Sequence, residues 1–308
     1  MADVALRTIL PIFLLIVTGF LARKGGILRA GDERVLSAYL YFFALPALFL
    51  VNMAETEFTS RTLRFILAGL IPGFLSVGLY LGLFFLLRLR IDTLYLLILS
   101  TVFGSHAFFG IPFVIFAFPT PEGERLAILA ASFISMGSVF VSLTVLELYG
   151  LGRASLWEGS RRVAGRLVRN PLILSISVGA FLSLSGLRIP GVLSTFLHML
   201  GRTTATVALF MLGVFLYGRR YKSLLKALKL SILRMVLLPL LGVLSTRLLG
   251  LEGMERAVIV LMLSMPLAIS MIVLSQRYGF QEETVASLIL VSSVGAALYL
   301  NLWLAVLI

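Results

Sequence analysis

Cysteine is absent from this chain of 308 residues, and motifs that carry chemistry are scarce. Without cysteine the chain can form neither a disulfide framework nor a thiolate metal site. The sequence also has no HExxH, GxSxG or Walker A motif and no cluster of metal-ligating residues, which argues against a membrane enzyme and against any process driven by ATP. We therefore expect a protein that is not an enzyme, with no catalytic residues, no metal site and no cofactor.

Acidic residues are also few: 14 Asp and Glu stand against 26 Lys and Arg, a formal net charge of +12. All 14 lie between apolar runs or near their ends, and Glu147 is the deepest. A cation/proton antiporter usually carries a buried carboxylate that binds its ion, so this class is disfavoured. The basic residues lie mainly in short loops beside apolar runs, which favours contact with a lipid bilayer over binding of nucleic acid.

Apolar residues are abundant, at 60% of the chain against 13% charged, which is more than a water-soluble domain of this size could bury. A bilayer core needs roughly 20 apolar residues for each spanning helix. We therefore expect an all-α integral membrane protein with ten transmembrane helices. The ten apolar runs are 4–22, 35–53, 63–87, 94–118, 125–148, 170–186, 190–217, 230–249, 256–276 and 284–307.

The basic loops predict the orientation of these spans. More than half of the 26 Lys and Arg follow odd-numbered spans, and the positive-inside rule makes those loops cytoplasmic. Both termini are then expected outside the cell (inner) membrane. In the longest loop, residues 150–169, a short amphipathic helix is predicted to lie on lipid headgroups, with Arg161, Arg162, Arg166 and Arg169 on its basic face. A basic connector that only sets topology is an equally good interpretation.

The chain also repeats itself: Pro11 and Gly19 recur as Pro171 and Gly179, in each case 160 positions later. If spans 1–5 match spans 6–10, each repeat has an odd number of helices, so the second must enter the membrane from the opposite side. This predicts two inverted five-helix repeats, an arrangement typical of transporters. The predicted organisation is a first repeat at 1–149, a cytoplasmic linker with a short amphipathic helix at 150–169, and a second repeat at 170–308.

Two spans at matching places in the repeats are interrupted by proline, Pro112 in span 4 and Pro266 in span 9. Proline breaks or kinks a helix, and in lipid the freed backbone groups need partners or a wet cavity. A plain proline kink would explain either break alone. Breaks at corresponding positions in both repeats favour a transport site where helices 4 and 9 cross.

The half-helices expected after the two prolines would direct backbone N–H groups and positive dipole ends to an anion near mid-membrane. His106 is the one ionisable side chain expected near the bilayer centre, which makes it a candidate for function. A neutral imidazole bonded to a freed carbonyl of span 4 or 9 is the alternative. The predicted substrate-binding residues are Ser105, His106, Ala107, Gly110, Pro112, Ser264, Pro266, Leu267 and Ser270.

Several short elements occur in a fixed order along nearly the whole chain. They are Ala44-Leu45-Pro46-Ala47-Leu48, Gly110-Ile111-Pro112, Asn170-Pro171, Leu187-Arg188-Ile189-Pro190 and Ala208-Leu209-Phe210-Met211-Leu212-Gly213. Together they resemble the auxin efflux carrier family, the PIN-like and bacterial malate-permease-type transporters of the bile/arsenite/riboflavin transporter superfamily. The resemblance implies ten helices in two inverted repeats, broken helices 4 and 9 that cross, external termini, and frequent homodimers.

The resemblance further implies secondary transport of organic anions. We expect efflux or facilitated transport of a small organic anion, above all a carboxylate, by an elevator-like or rocking movement around the crossover. Two alternatives stay open. One is a sodium-coupled organic-anion symporter; the other is a non-transporting sensor or partner-binding protein whose basic loops, Arg161–Arg169 and Arg219–Lys229, dock lipid or a cytoplasmic protein.

Overall fold

The computed structural model describes residues 2–151, 156–218, 221 and 223–307, and within these ranges the chain is helical without a β-strand. Two π-helical turns, Leu40–Ala44 and His106–Gly110, run directly into the α-helices that follow them. The α-helices are α1 (Ala2–Lys24), α2 (Glu33–Tyr39), α3 (Leu45–Ala54), α4 (Ser60–Leu87), α5 (Ile91–Val102), α6 (Ile111–Ala117), α7 (Pro121–Leu151), α8 (Leu156–Val168), α9 (Pro171–Leu184), α10 (Gly191–Leu216), α11 (Leu224–Leu248), α12 (Gly253–Leu263), α13 (Ser270–Tyr278) and α14 (Glu282–Leu307).

Six of the described helices are long and apolar enough to cross a membrane. Their outward positions carry large apolar side chains, such as Leu86 and Leu298, that are more than three-quarters exposed. The expected all-α membrane protein is confirmed in its helical structure and in the presence of helices that can span a membrane. The ten spans and the inverted repeats stay predictions. The six helices are Glu33–Ala54, Ser60–Leu87, Pro121–Gly150, Gly191–Leu216, Leu224–Leu248 and Glu282–Leu307.

The chain divides into two compact units, and each draws on both halves of the sequence. The units are therefore a different partition from the predicted repeats, whose boundaries they do not test. Unit 1 consists of Met1–Leu63, Ala107–Ser132 and Arg169–Arg219, and unit 2 of Arg64–His106, Phe133–Val168 and Arg220–Ile308.

Close backbone packing at glycine holds unit 1 together. Helix α1 packs along α10, and a β-carbon on Gly213 would lie 2.7 Å from the backbone nitrogen of Phe20. Helix α3 packs along α9, where a β-carbon on Gly179 would lie 2.6 Å from Cβ of Met53. In lipid, where water does not drive helices together, small residues allow the close approach that gives van der Waals contact.

Helix α9 begins with a polar cap. The Asn170 side chain accepts hydrogen bonds from the N–H groups of Leu172 (2.9 Å) and Ile173 (3.4 Å), and Pro171 follows it at the first helical position. Two N–H groups that have no partner within the helix are thereby satisfied. The pair also explains why Asn170-Pro171 opens this span.

We expect Asn170→Ala to lower the stability of the protein by about 1 kcal/mol, because the uncapped helix leaves two of its first backbone N–H groups without their acceptor. Asn170→Ser, which keeps an acceptor oxygen, is the matched control and should stay close to the wild type. Thermal unfolding in detergent measures both variants. Equal losses for alanine and serine would contradict a capping role.

In unit 2, helix α11 packs against α5, α12 and α14. The linker helix α8 belongs to this unit, and its Arg166 pairs with Glu147 of α7 while lying 5.1 Å above the ring of Tyr278. The Tyr278 hydroxyl donates a hydrogen bond to the same carboxylate. Arg161 and Arg169 are exposed, whereas Arg166 is only partly exposed and is paired with this carboxylate. That the helix lies on lipid headgroups stays a prediction.

Parts of the predicted basic loops lie outside the description. Residues 152–155 of the linker, and Arg219, Arg220 and Lys222 of the second loop, are not described, nor is the side chain of Arg162. Their proposed contacts with lipid or a cytoplasmic partner therefore stay predictions.

Candidate functional site

The first interruption lies earlier than the sequence predicts. Helix α5 ends at Val102, and the chain turns helical again at His106, in the π-helical turn that leads into α6. Pro112 therefore lies in the first turn of α6, where its missing N–H costs little. The break itself is the segment from Phe103 to Ser105.

The second interruption does contain its proline. Helix α12 ends at Leu263, Pro266 lies in the irregular segment that follows, and α13 begins at Ser270. The two breaks meet in an antiparallel bridge between Gly104 and Leu267.

Hydrogen bonds between the two breaks satisfy backbone groups that the helices no longer use. The N–H of Ser105 donates to the carbonyl of Pro266 at 2.8 Å, and the N–H of Ala268 donates to the carbonyl of Phe103 at 3.0 Å. Irregular backbone at membrane depth is tolerated only where such partners exist. The two breaks, both in unit 2, are therefore joined directly by backbone hydrogen bonds, although the first lies at a different residue from the one that the sequence predicts. That helices 4 and 9 cross stays a prediction.

Side chains from neighbouring helices complete this network. Ser292 of α14 accepts from the N–H of Leu267 at 3.1 Å, and Ser138 of α7 donates to the carbonyl of Val102 at 2.9 Å. Both serines are buried. A serine in an apolar helix gives little indication of its partner, so the sequence does not predict either contact.

Arg234 of α11 is the central residue that the sequence analysis missed. Its side chain is 1% exposed; Nε donates to the carbonyl of Met265 and Nη1 to the carbonyl of Thr101. These carbonyls lie at the ends of α12 and α5, where helix dipoles concentrate negative charge. His106 is thus not the one ionisable group in the interior. An arginine several residues inside an apolar run was the available indication.

His106 and Arg234 lie together around Gly104. A β-carbon on Gly104 would be 2.5 Å from Nε2 of His106 and closer still to Nη2 of Arg234. Both ring nitrogens of His106 and Nη2 of Arg234 are buried and have no hydrogen-bond partner within the described ranges. The alternative in which the imidazole bonds to a freed carbonyl of span 4 or 9 is therefore not the arrangement found.

The other predicted site residues take several positions. Ser264 is fully buried and its hydroxyl donates to the carbonyl of Val260 at 2.7 Å, within its own helix. Leu267 is buried, and Ser270 is partly exposed at the start of α13. These residues belong to unit 2 together with Ser105 and His106, whereas Ala107, Gly110 and Pro112 are buried residues of unit 1.

A buried cation, Arg234, lies where the two breaks of unit 2 meet. The described partners of the Arg234 guanidinium are carbonyl groups and not carboxylates. Glu147, the one buried carboxylate among the described side chains, is paired with Arg166. A buried cation without a counter-charge is energetically costly, so an anion at this place would be stabilised.

Comparison with known proteins gives matches over nearly the whole chain. The family model described as "Membrane transport protein" matches residues 4–150 and 153–304. The uncharacterized transporter MJ1031 of Methanocaldococcus jannaschii is 22% identical, over 97% of this chain and 98% of that protein. An uncharacterized transporter of Methanothermobacter thermautotrophicus is 26% identical, over 98% of each chain.

Proposed function

The chain belongs to the membrane transport protein family, the auxin efflux carrier family that its sequence resembles, and from this we propose that it is a secondary transporter of small organic anions. The preferred substrate is a carboxylate. Transport proceeds by alternating access around the crossover, in an elevator-like or rocking movement of two inverted five-helix repeats. The protein works in the cell (inner) membrane with both termini outside, as a homodimer.

One observation carries the choice of an anion. At the crossover of broken helices, two buried side chains, Arg234 and His106, keep polar nitrogens without a partner among the described residues. A neutral or cationic substrate would leave the guanidinium charge uncompensated, whereas an anion would neutralise it. The family supports transport, and the charge at the crossover supports the sign of the substrate.

The helix breaks support a sodium-coupled symporter less well than a sodium-independent transporter. In transporters with broken helices, unwound carbonyls and helix C-terminal ends often coordinate the coupling sodium ion. Here the carbonyls of Thr101 and Met265 already accept hydrogen bonds from Arg234. A positively charged side chain on those oxygens disfavours a second cation there.

Uptake into proteoliposomes tests the proposal. Purified protein is reconstituted, and uptake of radiolabelled carboxylates is compared with uptake of matched amides, in sodium, potassium and choline buffers. We expect saturable uptake of carboxylates that does not depend on sodium. Dependence on sodium would favour the symporter, and binding without flux would favour the sensor.

His106→Ala provides the first variant. Because a hydrogen bond to a charged group contributes about 1.5–3 kcal/mol, carboxylate uptake at low substrate concentration should fall about tenfold or more. The matched control is His198→Ala, since His198 is the only other histidine and pairs instead with Glu55 in unit 1. Undiminished uptake by a well-folded His106→Ala protein would rule out this role for His106.

A further inference from the structure

We propose that Arg234 is the residue that binds the charged group of the substrate, through Nη2 and with His106 beside it, and that the site selects monocarboxylates over dicarboxylates. The inference rests on the proposed function and adds to it a binding residue and a substrate class. Its evidence is the geometry of the Arg234 guanidinium and the lack of a carboxylate among its described partners.

The guanidinium is held in a fixed orientation. Nε and Nη1 are committed to the carbonyls of Met265 and Thr101, which end two different helices. The planar group has five N–H donors in a rigid fork, so fixing two of its nitrogens also fixes the third. Nη2 is thereby pre-organised, with two N–H donors that no described residue accepts.

His106 extends this donor group. Its Nε2 and Arg234 Nη2 both lie within 2.5 Å of one point, the β-carbon position of Gly104, so the two nitrogens are neighbours. Neither ring nitrogen of His106 has a partner among the described residues. One carboxylate can accept hydrogen bonds from both nitrogens at once, because its two oxygens offer about four lone-pair sites. The guanidinium fits here because Gly104 has no side chain: a β-carbon at this position would overlap the guanidinium and displace it.

A structural clamp does not by itself account for these groups. Nε and Nη1 alone suffice to join the two helix ends. If Arg234 served only this purpose, we would expect Nη2 to donate to a nearby carbonyl or hydroxyl as well. Buried polar groups in proteins are nearly always hydrogen-bonded. Three unpartnered nitrogens in one place, on two fully buried side chains, therefore indicate a ligand that accepts hydrogen bonds.

Charge determines the class of carboxylate. Among the side chains that the structure describes, Arg234 is the one buried Lys or Arg. A monocarboxylate brings one negative charge and neutralises it. A dicarboxylate brings a second charge for which the described interior offers no second permanent cation, and burying that charge is costly.

The wild-type protein tests the substrate class directly. Its melting temperature is measured with three matched compounds, butyrate, butyramide and succinate, and with a second set, benzoate, benzamide and terephthalate. A ligand that binds only the folded state raises the melting temperature. We expect stabilisation by the monocarboxylates and none by the amides, and at least tenfold weaker effects from the dicarboxylates. Stabilisation by dicarboxylates at equal or lower concentration would overturn the selectivity.

Variants of Arg234 test the binding residue. Arg234→Gln should weaken monocarboxylate binding at least tenfold, because it removes a charge-assisted hydrogen bond, and Arg234→Lys should lie between it and the wild type. Arg247→Gln, on an exposed position of the same helix, is the matched control and should bind normally. Wild-type affinity in a folded Arg234→Gln protein would refute the role of Arg234.

The two proposals fail in different ways. Carboxylate uptake at the wild-type rate by Arg234→Gln would remove Arg234 from the site and leave the organic-anion transporter intact. No uptake and no binding of any anion by the wild type would overturn both proposals. If Arg234→Gln does not fold, the comparison of monocarboxylates, amides and dicarboxylates on the wild-type protein still decides the substrate class, and Arg234→Lys decides the residue.

Discussion

Gly213→Ala is expected to destabilise the protein by about 3 kcal/mol, the upper end of what overpacking usually costs. Gly213 lies on α10 where this helix meets α1, and an added β-carbon would overlap the carbonyl of Ile16 and lie 2.7 Å from the nitrogen of Phe20. Both neighbours are backbone groups of a regular helix, so they cannot rotate away as a side chain could. The helices must separate, and the van der Waals contact along them is lost.

Thermal unfolding in detergent measures this effect. Gly191→Ala is the matched control, because Gly191 starts the same helix and a β-carbon there meets nothing within 4 Å. Alanine favours a helix over glycine by up to about 1 kcal/mol, so this control should be neutral or slightly stabilising. If both variants unfold at the same temperature, close packing of α1 against α10 is not an important contribution to stability.

Gly104→Ala is expected to be comparably severe, with the additional loss of substrate binding. The new β-carbon would occupy the place of the Arg234 guanidinium, whose Cζ is 2.9 Å away. Arg234 would have to leave the carbonyls of Thr101 and Met265 while remaining buried. Breaking the contacts of a buried charge typically costs about 3–5 kcal/mol. The proposed anion site would lose its cation in the same step.

A double-mutant cycle identifies the cause. If Gly104→Ala acts by displacing the guanidinium, its cost should be clearly smaller in an Arg234→Ala background, where that side chain is already shortened. Gly73→Ala on α4 serves as the control, since a β-carbon at Gly73 meets nothing within 4 Å. Equal costs in both backgrounds would mean that Gly104 is required for another reason, such as the bridge to Leu267.

The helices were predictable because their causes are local. Apolar runs of sufficient length form spanning helices wherever they occur, and the described helices lie on the predicted runs within a few residues at most ends. Pro266 correctly indicated a break because it lies within one. Pro112 did not, since a proline is also tolerated in the first turn of a helix, and a sequence does not show which of the two positions it occupies.

The candidate site was predictable only in part. His106 could be chosen because an ionisable side chain in an apolar run is rare, and the same argument applied to Arg234 would have found it as well. Arg234 lies near the start of the apolar run 230–249, however, where an arginine is also expected at the end of a span. Ser264 was chosen for its polarity, but its hydroxyl is used within its own helix, as serine often does.

The sequence by itself determined that this protein is a helical membrane protein of the membrane transport protein family. The length and apolarity of each run, and the order of the short motifs, can be read along the chain without knowledge of the fold. Only the tertiary structure decided how the two helix breaks are held together. The backbone groups freed at the two breaks find partners on residues far along the chain, Arg234, Ser292 and Ser138. Hydrogen bonding depends on distance in space, and the folded chain alone fixes those distances.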